Sequence, residues 1–167
     1  TKPPLRLSYT QAFAEHLDVD AGSSEETIAA ALVARRIEVP EKIDRRGLLD
    51  LALGTAIIPG LPRDRLIYIY DFPADQAALA RLKESDPAVA ARFEVFANGI
   101  ELANGFAELT DAREQRARFE AERLVQMRHG GTPPPIDEAL LAALAHGLPE
   151  CAGVAVGVDR LVAVAAG

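Results

Sequence analysis

The sequence predicts an α+β fold in which an antiparallel sheet carries helices on its flanks. Three observations predict it. The first sixty residues show helical periodicity punctuated by capping signals. Leu66 to Phe72, LIYIYDF, is a β-branched and aromatic strand. Arg92 to Asp111, RFEVFANGIELANGFAELTD, reads as a hairpin turning at Asn98-Gly99. At 167 residues the chain is about one domain long, enough to bury a core. Its net charge of −7 argues against a broad nucleic-acid surface, which needs a basic footprint. A single cysteine, Cys151, rules out an internal disulfide and suits a reducing, cytoplasmic compartment. No apolar run approaches the roughly 18 residues of a membrane span, and no secretory signal stands at Thr1.

Taken in order, Ser8 with Gln11 forms a capping box for a short helix over Tyr9 to Leu17. Ser23 with Glu26 forms a second, opening a helix from Ser24 to about Arg36. Ile28, Leu32 and Arg35 recur there at helical spacing, and Val39-Pro40 ends the run. Ile43 to Ile58 gives a third helix, with Leu48, Leu49, Ala52, Leu53 and Ala56 on an apolar stripe that Gly60 and Pro62 break. His16 has no acidic or cysteine partner at ligand spacing and reads as structural. Pro73 stops the strand, on which Tyr68 and Tyr70 point the same way as half-buried sheet residues. Ala74 to Lys83 suits a short helix or turn, and Asp86-Pro87 breaks the chain before the hairpin.

The two-residue loop sets the hairpin's register. Ala97 should face Ile100, Phe96 Glu101, Val95 Leu102 and Glu94 Ala103. One face then carries Phe93, Val95, Ile100 and Leu102, an apolar set fit for a core. The other carries Glu94, Phe96, Glu101 and Ala103. Glu94 and Glu101 become diagonal neighbours, their Cα atoms roughly 7–8 Å apart. Carboxylates that close repel unless a cation sits between them, and magnesium is the natural occupant. Without a cation the same hairpin is an edge with a solvated acidic face. Glu108 lies seven residues beyond Glu101, an odd spacing that sends it to the opposite face of an unbroken strand. A bulge or bend at Gly105 would turn it back.

Asp111 with Glu114 caps a helix to about Arg128, with Phe119, Leu124 and Met127 on its buried side. Arg113, Arg116, Arg118 and Arg123 alternate with glutamates and read as a salt-bridged face. Gly130-Gly131 ends that helix, and Pro133-Pro134-Pro135 is a stiff connector. Asp137 caps Glu138 to His146, which Gly147 closes. Ala152 to Val156 reads as a buried strand, and Val158-Asp159-Arg160 opens a helix. Gly157 lets a ligand approach the backbone. Arg160 stands near a helix N-terminus, where a guanidinium and backbone N–H groups both favour an anion.

FEVFANGIELANGFAELTDAREQ and GVAVGVDRLV together resemble the C-terminal catalytic half of class II lysyl-tRNA synthetases, the second stretch matching the class II third motif. The wording IELANGF, where lysyl-tRNA synthetases proper usually read REIGNGF, is similar to that of short tRNA-synthetase-like paralogues that attach β-lysine to elongation factor P. TDAREQ, LSYTQAF and YDFPADQAAL carry the same likeness, which thus spans essentially the whole chain.

The resemblance implies an ATP-dependent ligase in which a lysine-type carboxylate attacks the α-phosphate of ATP. An aminoacyl-adenylate forms and an amine of the acceptor protein takes the acyl group. Glu94 and Glu101 match the family's magnesium carboxylates, with Glu101, Leu102, Gly157 and Arg160 at the ATP. Arg160 matches the catalytic arginine on the phosphates, and Asn104, Phe106 and Glu108 match the lysine pocket. The implied cofactors are ATP and Mg2+, and the implied partners are lysine or β-lysine and elongation factor P, with no tRNA, no membrane and a homodimeric parent. Nothing in the chain matches the family's first two motifs, and a chain ending on LVAVAAG looks cut. The expectation is a C-terminal fragment, inactive alone. Residues 1–65 would be a helical insertion between the second and third motifs, and 66–167 the C-terminal part of the catalytic core. Two other readings are a lysyl-tRNA synthetase proper and a non-catalytic paralogue that binds lysine or nucleotide.

Overall fold

Two strands far apart in sequence set the layout by pairing in parallel. A computed structural model describes residues 2–166. In it β1 (Leu5–Ser8) lies beside β2 (Ile67–Pro73), with Leu5 opposite Ile67 and Ser8 opposite Tyr70. Parallel strands need a long crossover. Here it is helical, made of α1 (Tyr9–Leu17), α2 (Glu25–Ala34) and α3 (Arg45–Ala52). The remaining strands run antiparallel: β3 (Leu82–Lys83), β4 (Asp86–Ala97), β5 (Ile100–Ala107) and β6 (Ala152–Val156). The sheet order is β1-β2-β4-β5-β6, with β3 on β4. Between β5 and β6 lie α4 (Ala112–Arg128) and α5 (Glu138–His146), and α6 (Val158–Ala166) follows β6. The fold is α+β as predicted, with a mixed rather than purely antiparallel sheet. The strand at Leu5–Ser8 is an addition to a segment whose sequence reads as helical.

The helices start where side chains can satisfy their first N–H groups. Ser8 and Gln11 form the expected capping box: Ser8 N donates to Gln11 Oε1 (2.8 Å) and Gln11 N to Ser8 Oγ (3.1 Å). For α2 the cap is Ser24, which accepts from Thr27 N, and not Ser23. Asp44 caps α3 by accepting from Gly47 N at 2.8 Å. Helical backbone runs on past Ala52 as a π turn over Leu53–Ile57 and a 3₁₀ turn over Ile58–Gly60, so the predicted stretch is helical in three pitches. Asp111 and Asp137 cap α4 and α5 as expected.

One core joins the crossover helices to the sheet. Tyr9, Phe13 and Leu17 of α1, Ile28 and Leu32 of α2, and Leu48, Leu49 and Ala52 of α3 close over Leu7, Ile67, Ile69, Phe72 and Phe96. Tyr9 stacks on Phe13, ring centroids 4.8 Å apart, and tilts against Phe72 at 4.9 Å. The β4 face that meets the helices therefore carries Phe96, which corrects the expectation that Phe93, Val95, Ile100 and Leu102 would form the core face. Val95 and Leu102 are buried outside this cluster, and Ile100 is exposed. The reason is the crossover, which lies on the side to which Ile67 and Ile69 point. Asp71 takes a φ of 62°, an irregularity that turns Phe72 from the side of Tyr68 and Tyr70 towards the helices.

Two further expectations are corrected. Leu124 and Met127 of α4 are exposed, and Gln115 is the buried residue of that helix. The α4 arginines form ion pairs as expected, Arg118 with Glu114 and Arg116 with Glu138 of α5, while Arg118 also donates to the carbonyls of Ala78 and Ala80 and Arg123 to that of Pro134. Strand β6 is exposed rather than buried, since it pairs with β5 on one side and no described element covers Val154 or Val156. Leu32→Ala, opening a cavity in the helical layer, should cost about 2–5 kcal/mol, and Asp111→Ala, removing an exposed cap, about 1 kcal/mol. Urea denaturation of the chain checks both, and equal losses would contradict the assignment of the core.

Candidate functional site

The hairpin turns at Asn98-Gly99, where φ values of 51° and 76° place both residues in the left-handed region of a type I′ turn. Ala97 faces Ile100 and Phe96 faces Glu101, as a two-residue loop dictates. Beyond them the ladder slips. Val95 faces Ala103, Glu94 faces Asn104, Phe93 faces Gly105 and Arg92 faces Phe106. Leu102 is the extra residue, so the bulge sits there and not at Gly105, and Glu94 opposes Asn104 rather than Ala103.

That extra residue changes which side chains stand together. Cross-strand partners share a face, and Leu102 absorbs one step of the alternation. Arg92, Glu94 and Phe96 of β4 therefore share a face with Glu101, Asn104 and Phe106 of β5. Glu108 joins them. Its N–H donates to Cys151 O at 3.0 Å, and its Oε1 lies over Gly153, the partner of Phe106, where any Cβ would collide with it. The Glu108 carboxylate is half-buried, and among the described residues no cation pairs with it. Phe106 packs on the small apolar cluster of Ala77, Ala80 and Ala90.

Leu102, Gly157 and Arg160 meet at the turn end of β5. Gly157 N donates to Leu102 O at 2.9 Å, and Gly157 O accepts from Leu161 N at 2.9 Å as α6 begins. The Gly157 N–H is thus spent within the chain, and what the residue offers is space: a Cβ there would stand 3.2 Å from Arg160 Cδ. Arg160 Nη1 donates to Glu101 O at 3.0 Å and lies 3.7 Å from Glu101 Oε2. One arm of the guanidinium is pinned and the rest of this exposed group faces solvent.

Sequence reasoning passed over Arg92, the most connected side chain of the site. Its Nη2 donates to Glu94 Oε1 (2.5 Å), its Nη1 to Gln76 O (2.6 Å) and its Nε to Asn104 Oδ1 (3.3 Å). Its plane lies over Phe72, 4.4 Å from the ring centroid. Gln76, buried in the 3₁₀ turn after β2, continues the contact by donating from Nε2 to Asp50 at 2.7 Å. The i, i+2 spacing of Arg92 and Glu94 on one strand was the available signal for the pair.

Glu94 is buried, and that burial raises its pKa above the usual 4.5; Arg92 pulls it back down and the charge of Glu101 pushes it up again. Mutual repulsion of two diagonal carboxylates is what a divalent cation relieves. Among the described residues no three of His, Cys, Asp or Glu gather as a metal cage. A pair of carboxylates nevertheless suits magnesium, which takes one or two and fills its octahedron with water and phosphate oxygens. Because the folded state raises the Glu94 pKa, it binds that proton more tightly than the unfolded chain does. The Glu94 contribution to stability is therefore fullest below pH 4.5 and is lost as pH rises through the folded value. Glu94→Gln should flatten the fall in stability between pH 4.5 and neutrality. Denaturant midpoints measured across that range test it, and an unchanged or steeper slope would contradict the burial argument.

A family model described as tRNA synthetases class II (D, K and N) matches residues 1–167. The elongation factor P–(R)-β-lysine ligase of Klebsiella pneumoniae (strain 342) is 50% identical over 99% of this chain and 52% of its own length. Its counterpart from Edwardsiella ictaluri (strain 93-146) is 48% identical over 95% of this chain and 50% of its own length. That of Salmonella agona (strain SL483) is 48% identical over 99% and 52%. The chain spans about half the length of these curated relatives. With every residue inside the match and the hairpin and third-motif segments side by side in the sheet, the chain belongs to the class II tRNA synthetases of the D, K and N group.

Proposed function

We propose that this chain is the part of an ATP-dependent ligase that activates lysine or β-lysine and passes it to a lysine of elongation factor P. The observation that carries the reading is the single row of Glu94, Glu101, Asn104, Phe106 and Glu108, brought to one face by the Leu102 bulge and closed by Arg160. The relatives' printed activity supports it. Acidic pairs and a guanidinium at one end of β5 suit a nucleoside triphosphate, and an uncompensated carboxylate at the other suits an ammonium group. A bound magnesium would sit with Glu94 and Glu101 and supply charge neutralisation on the phosphates.

The residues act by position and charge. Glu108 takes the ammonium of the amino acid, and Phe106 lines its aliphatic stem. Asn104 offers its amide near the carboxylate end. A carboxylate oxygen of the amino acid bonds to the α-phosphorus of ATP as the bond to the bridging oxygen breaks, and pyrophosphate leaves. Arg160 holds phosphate charge through that step. A neutral amine of the acceptor then bonds to the acyl carbon, AMP leaves, and the amine's proton goes to solvent. In the parent enzyme residues 1–65 form the segment between the second and third motifs, and 66–167 the C-terminal core of a homodimeric, cytoplasmic protein. No helix of the described chain is long and apolar enough to cross a membrane.

Charge favours a protein acceptor over tRNA. Docking tRNA takes many lysine and arginine contacts to phosphate. Here the net charge is −7, and Arg116, Arg118 and Arg123 are engaged within the chain. The parent protein with ATP, magnesium and a β-lysine-type amino acid should modify a lysine of elongation factor P and leave tRNA uncharged. Efficient tRNA charging with elongation factor P untouched would replace this reading with a lysyl-tRNA synthetase. In the same parent, Glu108→Gln should raise the amino-acid KM in pyrophosphate exchange by about 10- to 100-fold, the loss of one charge-assisted bond, with ATP binding nearly unchanged. Arg160→Ala should abolish adenylate formation with either acceptor. Equal effects of Glu108→Gln on amino acid and ATP, or none, would remove Glu108 from the pocket.

A further inference from the structure

We propose that Arg92 is the positioning residue of this site, holding the Asn104 amide in one of its two orientations so that Asn104 presents donors, and not an acceptor, to the amino acid. The inference rests on the proposed site but is carried by a separate observation. Arg92 lies at the only point where β4, β5 and the 3₁₀ turn at Gln76 are joined by one side chain among the described residues. It spends Nε on Asn104 Oδ1, Nη1 on Gln76 O and Nη2 on Glu94 Oε1. Its plane is clamped over Phe72.

Arginine is suited to this in a way lysine is not. A guanidinium has donors only, in a rigid planar fork, so any atom it touches must be an acceptor. An asparagine amide beside it is therefore fixed with oxygen inward and nitrogen outward. The outward Nδ2 can donate to a carboxylate or carbonyl oxygen and repels an ammonium. The row thereby acquires a direction. Ammonium belongs at Glu108, and the oxygen end of the substrate belongs beside Asn104, which stands nearer Glu101 and Arg160 along β5. The same fork occupies one oxygen of Glu94 and leaves the other free. Charge compensation alone would need only the contact to Glu94. The bonds to Asn104 and Gln76 are what a role in compensation leaves without purpose.

The test compares Arg92→Lys, which keeps the charge beside Glu94 but loses the fork, with Asn104→Ala and the double variant. In the parent protein, Arg92→Lys should raise the amino-acid KM about tenfold, the scale of one hydrogen bond, and change the ATP KM less than about threefold. The double variant should be no worse than Asn104→Ala alone, because Arg92 acts through Asn104. Independent losses that add, or an amino-acid KM that Arg92→Lys leaves alone, would overturn the proposal. A second readout needs no activity. In the 167-residue chain, the side-chain amide signals of Asn104 in nitrogen–proton NMR should shift and broaden in Arg92→Lys while the backbone signals of α1–α3 stay in place. An unmoved Asn104 signal also overturns it. If wild-type parent shows no lysine-dependent exchange, the proposed function fails, and the NMR comparison still decides whether Arg92 orients Asn104.

Discussion

Side chains along a strand alternate between its two faces, and β5 breaks that alternation once, at Leu102. The break is a matter of parity. Glu101 and Asn104 are three residues apart, and Glu101 and Glu108 seven, both odd, so a regular strand would put Glu101 on one face and Asn104, Phe106 and Glu108 on the other. One bulged residue shifts everything after it by a step, and both groups then face the same way. The two-residue turn at Asn98-Gly99 fixes the register before the bulge and the pairing with β6 fixes it after. Straightening the bulge with Leu102 kept in the strand would put Glu101 on the opposite face from Asn104, Phe106 and Glu108 and dismantle the row.

The second dependence is electrostatic. Burying Glu94 is costly unless its charge is met, and Arg92 meets it from the same face two residues away. The guanidinium brings Phe72 and Gln76 with it, which ties the row to the covering helices through the bond from Gln76 to Asp50 of α3. Helical layer and acidic row are thus held by one set of contacts, although they come from separate stretches of the chain.

Much of this was legible in the sequence, and the physical reason is local. Where a side chain ends an element, as Ser8, Asp111, Asp137 and the Asn98-Gly99 turn do, the boundary is written in a few adjacent residues and the structure agrees. Neighbouring serines offer the same chemistry, so Ser23 and Ser24 could not be told apart without the backbone. Strand β1 was missed because four residues are too few to show an alternation, and its partner lies beyond three helices. The odd spacing of Glu108 allowed a bulge without requiring one, several positions satisfy the same parity, and the slip falls at Leu102 rather than Gly105. The core face was misjudged because both faces of β4 carry apolar residues, and the crossover decides which one the helices cover. Arg92 went unnoticed since its importance lies in partners from three elements.

The crossover and the hairpin also differ in how far apart their joined residues lie along the chain. Leu5 meets Ile67 across the whole helical segment, whereas Ala97 meets Ile100 across two residues. Closing a long loop costs more chain entropy than closing a short one, and non-local contacts form late. On that ground the hairpin with its paired carboxylates should assemble ahead of the layer that shields Glu94 and Phe96. During that interval Glu94 is still solvated, its charge unburdened by desolvation. Once the crossover is closed, Glu94 is the member of the row that is buried, and its charge then depends on Arg92.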